Sequence, residues 1–464
     1  MEKSFVRLMN LNINNIKNVI NGSIQFESNP ENRTVNGNSI RGIYGQNGSG
    51  KTAVVDVMYL LQRLLKGETL PSNLYKYINY EKKEAIIQYQ FYIETEHKKY
   101  DIEYCVGIRL LEEKRFVLSY EKLYGSVCND GKWSRKGCIL EYNIDVTETL
   151  FKPIYRNEAL MSNLDYFIQA KVAQQFTKEY DEEKKISSIS SLFFSKGMEK
   201  VFGSVESFQD IYEITQILIK YATEDLIVVQ NEDFGLIDMN ISKIVFHVNM
   251  MEKDSSVVGM IPIRVDEKNI LPTIVFKTFC EVVEQTNQVI NALVPNVKLE
   301  ISNKETKYTK EGEEGISFEL VTMRGSSVIP FECESSGIKK LISICTALIA
   351  CYNRSSVCLV IDEFDSGIFE YLLGELLEIM QEYAKGQLIF TSHNLRALEV
   401  LDRDSLVFTT LDPERRYGNL KYVKNTQNKR LSYLRAIYLD GQDIPLYEST
   451  SQAKIKRALR KSWR

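Results

Sequence analysis

The chain has 464 residues, more than one compact core fills, so two or three lobes are expected. Its 44% hydrophobic, 26% charged and 11% aromatic residues exclude a disordered, collagen-like or rod-like chain as the main architecture. Lys and Arg number 58 against 62 Asp and Glu, and the net charge of −4 provides no global field for nucleic acid or an anionic membrane, so any such contact must be local.

The opening stretch alternates through Phe5, Val6, Leu8, Leu11 and Ile13, then Val19, Ile24 and Phe26, which predicts two short antiparallel strands. A third strand, Ser39 to Tyr44, runs into a glycine loop, and Thr52 to Leu65 follows as a helix closed by Gly67. Strand patterns return from Ala85 to about Tyr142, as a meander completing a first lobe. Residues 150 to 305 change to helices such as Ser207 to Tyr221 and Ile274 to Leu293, without a sustained heptad, which predicts a compact helical insert. Strands resume at VKLEIS, ISFELVTM and SSVIPFE. A helix from Gly337 to Tyr352, a strand Val357 to Ile361, a helix Tyr371 to Tyr383 and a strand Gln387 to Thr391 then give the second lobe parallel-sheet character.

No run reaches the roughly 18 apolar residues of a membrane helix. The start MEKSFVRLMNLNINN has no hydrophobic signal segment, so a cytoplasmic protein without a membrane partner is expected. Eight cysteines form no Cys-x-x-Cys pair, so reduced structural thiols are expected and zinc is not. Cys333, Cys345, Cys351 and Cys358 lie in apolar stretches that read as core.

Three segments carry chemistry. Gly45-Gln46-Asn47-Gly48-Ser49-Gly50-Lys51-Thr52 fits G-x-x-x-x-G-K-[ST] in the strand-to-helix context that the pattern requires. Its glycines let N–H groups cradle phosphate at a helix N-terminus, Lys51 would reach the β- and γ-phosphates, and the Thr52 hydroxyl would ligate magnesium. The run Cys358 to Ile361 ends in Asp362 and Glu363, the first suited to a magnesium contact and the second to polarising an attacking water. Thirty residues on, a core strand ends at His393, one of only three histidines, where an imidazole could bond a γ-phosphate or the water.

The set GQNGSGKT, ESSGIKKL, CLVIDE, FDSG and FTSHN resembles the ATP-binding-cassette (ABC) ATPases. It is most similar to their SMC, RecF and OLD branch, and there to the short ATPases of anti-phage systems such as PARIS, AbiL and Septu. The resemblance covers about residues 1–110 and 310–425. It implies an α/β ABC-type P-loop ATPase head formed from N- and C-terminal lobes with a mostly helical insert: lobe I at 1–149, insert at 150–305, lobe II at 306–425, and a C-terminal segment at 426–464. It also implies that Ser335 and Gly337 belong to a signature loop that binds the γ-phosphate held by a second copy, and that Asp365 belongs to the D-loop crossing between copies. An ordinary helix cap is the alternative for Ser335.

The signature departs from the family pattern at Glu334, Ser336 and Ile338, and about 280 residues separate Lys51 from Ser335, which disfavours transporter coupling. Gln88 and Gln90 are candidates for the family's glutamine loop, although both read equally well as outward strand residues. The expected activity is magnesium-dependent ATP hydrolysis by a head-to-tail homodimer or higher oligomer that regulates a neighbouring-gene effector. The competing expectation is a RecF-like DNA clamp, supported by Lys454, Lys456, Arg457, Arg460 and Lys461 in the tail.

Overall fold

The computed structural model describes residues 4–27, 39–181, 186–238, 243–252, 255–419, 430–431, 433, 446 and 451–462. The chain begins with β1 (Phe5–Ile16), β2 (Val19–Gln25) and β3 (Ser39–Tyr44), followed by α1 (Lys51–Leu65). Next come β4 (Glu84–Glu94), β5 (Lys98–Leu110), β6 (Phe116–Asn129), β7 (Lys132–Trp133) and β8 (Gly137–Asn143). All of these strands except β3 form one antiparallel sheet in the order β2-β1-β4-β5-β6-β7, with β8 also on β6. Alternation in β4 puts Ala85, Ile87, Tyr89 and Phe91 on the buried face, where the Tyr89 hydroxyl donates to Val57 O of α1 at 2.6 Å.

The stretch expected to be a helical insert holds α2 (Ile154–Met161), α3 (Leu164–Phe176), the hairpin β9 (Lys178–Asp181) and β10 (Ile186–Ile189), α4 (Lys196–Ser204) and α5 (Gln209–Lys220). It continues with β11 (Leu226–Val229), α6 (Asn231–Asp238), β12 (Lys243–Glu252), β13 (Ser255–Arg264), β14 (Asn269–Pro272) and α7 (Thr273–Leu293). Helices supply most of its regular structure. One short run, LIVV at 226–229, nevertheless leaves it and enters the central sheet, because four consecutive apolar residues satisfy both faces of a covered parallel strand.

Then follow β15 (Val297–Tyr308), β16 (Glu314–Arg324), β17 (Ser327–Pro330), α8 (Ser336–Asn353), β18 (Cys358–Ile361), α9 (Glu370–Tyr383), β19 (Gln387–Ser392), α10 (Arg396–Val400), β20 (Leu406–Thr409) and β21 (Tyr417–Gly418). The central sheet runs β11-β18-β19-β3-β20, all parallel, with β21 antiparallel at one edge. Every residue of β3, β18, β19 and β20 is buried. One face packs with α1 and the antiparallel sheet, and the other with α7, α8 and α9, giving two hydrophobic cores. The C-terminal segment lies largely outside the described residues; within it, α11 (Gln452–Lys461) is exposed along its length. No described helix is long and apolar enough to cross a membrane.

Cys345, Cys351 and Cys358 are buried, but Cys333 is exposed. It ends the turn Phe331–Cys333, in which only Phe331 points into the core, so the apolar neighbourhood read in sequence belongs to Phe331 alone.

A buried polar joint ties the two ends of the chain. The Gln387 amide accepts from Leu8 N and donates to Leu8 O, both at 2.9 Å, copying a strand pair where β1 slips register between Leu8 and Asn10. It also donates to Glu27 at 3.3 Å, while Arg7 donates to Lys385 O at 2.5 Å. Burial pushes the Glu27 carboxyl up to about 7 despite the guanidinium groups of Arg7 and Arg41. Gln387→Ala should strand both Leu8 backbone groups in the core and lower unfolding free energy by about 2–4 kcal/mol, read from urea titration.

Candidate functional site

The site begins where β3 ends. Gly48 and Gly50 take φ of 76° and 95°, left-handed values that a side chain resists, and so let residues 45–50 fold into a loop ahead of α1. Gly50 is the N-cap of α1 and no side chain caps that end, which leaves the first-turn N–H groups with their partial positive charge for an anion.

The loop is propped from below. Ser49 and Thr409 share a hydroxyl bond of 2.6 Å, Tyr417 donates to Gly50 O at 2.8 Å, and Asn18 donates to Gly48 O. A Cβ at Gly45 would lie 1.6 Å from the Thr409 hydroxyl, so only glycine fits there. Lys51 folds back to donate to Gly45 O and Gln46 O at 2.9 and 3.0 Å, while Asn47, Gly48 and Thr52 stay exposed.

Two strands away, Asp362 and Glu363 leave β18 in a tight turn. Asp362 N donates to Val229 O at 2.9 Å, and its carboxylate accepts from the buried Thr391 hydroxyl at 2.6 Å. The same hydroxyl accepts from Glu363 N at 2.7 Å. Glu363 sits at φ 46°, an unusual value for a glutamate, and its carbonyl accepts from the Lys340 ammonium at 2.6 Å. Asp365 accepts from His393 N at 3.2 Å.

These groups sense one another. Burial lowers the Lys51 pKa, opposed by Asp362, Glu363 and Asp365. Burial and then Lys51 lower that of His393, opposed by Asp365, Glu363 and Asp362, so the imidazole is neutral near pH 7 and can both donate and accept. The fold therefore gathers residues from around positions 50, 340, 360 and 393 into one cluster of two lysines, three carboxylates and a histidine.

Ser335 and Gly337 sit differently. Ser335 is the N-cap residue of α8, yet its side chain makes no cap bond, and both it and Ser336 are exposed. Gly337 backs onto the turn after Asp365: a Cβ there would lie 2.2 Å from Gly367 O. Glu334 is a buried anchor, accepting from Thr322 at 2.5 Å, Arg324 at 2.6 Å and Ser335 N at 3.2 Å.

The structure leaves Gln88 and Gln90 out of the cluster. They are half-buried in β4, where Gln88 accepts from Asn12 at 3.2 Å and Gln90 donates to Asp101 at 2.9 Å. A glutamine that lies beside the acidic turn is Gln230, directly after β11, with its amide 3.5 Å from Asp56 of α1 and its backbone following the Val229 carbonyl that holds Asp362. Its signal in sequence was the short run LIVV before a polar residue, masked by the helical patterns on both sides. Lys340, Thr391, Thr409 and Tyr417 were missed as well, since their roles depend on neighbours in other elements, for Thr409 and Tyr417 at the other end of the chain.

A parallel sheet of these strands, with a phosphate-type loop after β3 and paired carboxylates after β18, joins both ends of the chain in a single head. The fold is that of an ABC-type P-loop ATPase head. No protein-family model matches this head's sequence, and no curated protein does.

Among solved structures the chain resembles an Smc head domain from Pyrococcus furiosus bound to the C-terminal domain of ScpA: 12% identity, 93% of this chain and 100% of that one, TM-score 0.41. It also resembles an Smc head with coiled coil and joint from Pyrococcus yayanosii (11%, 93% and 99%, TM-score 0.42) and an SMC head from Thermotoga maritima (12%, 89% and 99%, TM-score 0.34). The assignment rests on strand order and loop, not on these scores.

Thr391→Val keeps the shape of the side chain but orphans Glu363 N and one Asp362 oxygen. It should lower unfolding free energy by roughly 1–3 kcal/mol, with Thr391→Ser restoring it, both measured by urea titration.

Proposed function

We propose that this chain is a magnesium-dependent ATPase switch that pairs head-to-tail with a second copy on binding ATP and governs a separately encoded effector, a nuclease or toxin, in anti-phage defence. The observation that supports ATP hydrolysis is the convergence of Lys51, Asp362, Glu363, Asp365 and His393 around the uncapped start of α1. Phosphates would lie on the N–H groups of residues 45–52, with Lys51 turning from the loop carbonyls to the β- and γ-oxygens.

The donors suit magnesium: an exposed Thr52 hydroxyl, and Asp362 with one oxygen committed to Thr391. The described residues hold no cluster of three or more His, Cys, Asp or Glu able to bind a metal by themselves, but magnesium in such a site takes one or two protein ligands beside the phosphates. When bound, the ion would neutralise charge developing on the γ-phosphate. Glu363 orients and deprotonates water for in-line attack, its carboxylate aimed by the left-handed turn that Lys340 and Thr391 brace. Neutral His393 bonds the γ-phosphate, and Gln230 joins the water or the ion from the β11 side.

Head-to-tail pairing is supported by the exposed Ser335–Ser336 edge at the start of α8 and by Phe369, which is 74% exposed just past the Asp365 turn. Both are surfaces that a second head would cover. The effector role rests on the motif resemblance. A clamp on DNA is the second reading, favoured by α11, which carries Lys454, Lys456, Arg457, Arg460 and Lys461 with no acidic residue and is exposed throughout.

Lys51→Ala should abolish nucleotide binding, and Glu363→Gln should bind ATP, hydrolyse it at least about 100-fold more slowly and accumulate as a dimer, read by turnover and sedimentation. Wild-type turnover in Glu363→Gln would remove the assignment. Pull-down of Glu363→Gln with ATP from cells carrying the neighbouring genes separates the two roles: a stoichiometric protein that survives nuclease supports the effector reading, and nucleic acid alone supports the clamp.

Lys340 adds a pH signature. Burial lowers its pKa to about 8, opposed by Asp365, Glu363 and Asp362. Because the folded chain holds this proton less tightly than an unfolded lysine does, stability from this group increases as pH rises from about 8 towards 10.5, so falling activity there would not reflect unfolding. Turnover should decline as pH passes about 8 and the Glu363 turn loosens, whereas Lys340→Arg should remove that decline, measured as kcat against pH.

A further inference from the structure

Helix α3 carries large apolar residues on both of its faces. Its fully buried residues are small, Ala170 and Ala173, and α4 approaches so closely that a Cβ on Gly197 would lie 2.7 Å from the Ala173 Cβ. Tyr166 and Phe167 pack half-buried against the core, but a row of large residues faces solvent: Leu164 is 69% exposed, Ile168 49%, Val172 47% and Phe176 67%. Spaced every four residues, they form one unbroken ridge, which Met161 extends at 58% exposure. A surface helix ordinarily turns such a ridge towards the core. Exposed apolar surface of this extent marks an interaction site.

We infer that this ridge is a second interface between two copies of the chain, formed without nucleotide and separate from the head-to-tail site. Area is the first argument. With Ile154 and Tyr155 of the adjoining α2, 63% and 53% exposed, the ridge presents roughly 800 Å², the share one partner contributes to a standard stable interface.

Charge is the second. Asp165 and Lys171 are the only charged residues of α3, and Gln169 and Gln175 flank the ridge, so two copies of this face meet without opposing like charges. A membrane surface or a nucleic acid would instead call for a basic border.

Geometry is the third. Ridges of i, i+4 spacing interlock with copies of themselves at about −50°. A two-fold axis between residues 168 and 172 sets Ile168 against Val172 of the partner subunit, and Leu164 against Phe176 of the partner subunit. The contact is isologous and closes as a dimer. Combined with the ATP-dependent pairing proposed above, it would link heads into a larger assembly, but it does not depend on that reading.

The test is sedimentation velocity on the full chain without nucleotide, in the wild type and in Lys51→Ala, where ATP-driven pairing is silent. Both should sediment as dimers at micromolar concentration. Ile168→Glu should raise the dimer dissociation constant roughly 100-fold or more by burying an unpaired charge, with unchanged circular dichroism, since the side chain is half exposed in the single chain.

Mixing Ile168→Lys protein with Val172→Glu protein should restore the dimer, because the two-fold axis brings these positions together. A wild-type chain that stays monomeric without nucleotide overturns the inference, as does a dimer indifferent to Ile168→Glu. A monomeric chain whose ridge is instead covered by a different protein overturns it too. Loss of ATP-dependent pairing with this dimer intact would count against the head-to-tail proposal alone.

Discussion

Everything at the candidate site depends on β3 being clasped between β19 and β20. A strand from residues 39–44 lies parallel to strands from residues 387–392 and 406–409, and its loop is supported from this side of the sheet: Thr409 of β20 beneath Gly45 and Ser49, and Tyr417 of the neighbouring β21 beneath Gly50. The Gln387 side chain secures the same junction from the other end by pairing with the Leu8 backbone as another strand would. Such contacts between the two ends of a chain impose a large loop-closure entropy, which the fully buried, mostly apolar strands offset. Within this sheet the loop after β3 and the acidic turn after β18 come together because their strands are parallel with only β19 between them and end on the same side of the sheet, not because the loops bind each other.

The acidic turn carries strain that the surroundings hold in place. Glu363 occupies a left-handed backbone region, and the Thr391 hydroxyl and Lys340 ammonium hold its two backbone groups. Lys340 belongs to α8, whose N-terminal residues form the exposed Ser335–Ser336 edge, so one helix touches both the carboxylate turn and the surface that a second copy is proposed to meet. Gly337 against Gly367 makes that coupling a direct backbone contact. At the start of this helix Glu334 anchors the loop to β16 through Thr322 and Arg324.

Much of this head was legible in the sequence. The phosphate loop, the strand ending in Asp362 and Glu363, and the helix after Ser335 all carry short-range patterns of glycine, apolar runs and charge, and the structure finds strands and helices within a residue or two of where those patterns put them. Residues whose meaning depends on distant partners were not legible. Gln230 follows a four-residue strand too short to stand out among helices, Cys333 looked apolar through its neighbour Phe331, and Thr391 and Thr409 look like any strand threonine until β18 and β3 are set beside them.

The sequence by itself determined the local chemistry: where an anion could sit on a helix start, which carboxylates end a buried strand, and that a net charge of −4 provides no global field. These follow from spacings of a few residues, over which backbone geometry is nearly fixed. Only the tertiary structure decided which glutamine meets α1, which lysine braces Glu363, and which face of α3 is left open. Those outcomes turn on strand order and helix packing, where contacts between separate elements compete, and amphipathic periodicity alone could not show that α3 buries Ala170 and Ala173 and leaves Leu164, Ile168, Val172 and Phe176 exposed.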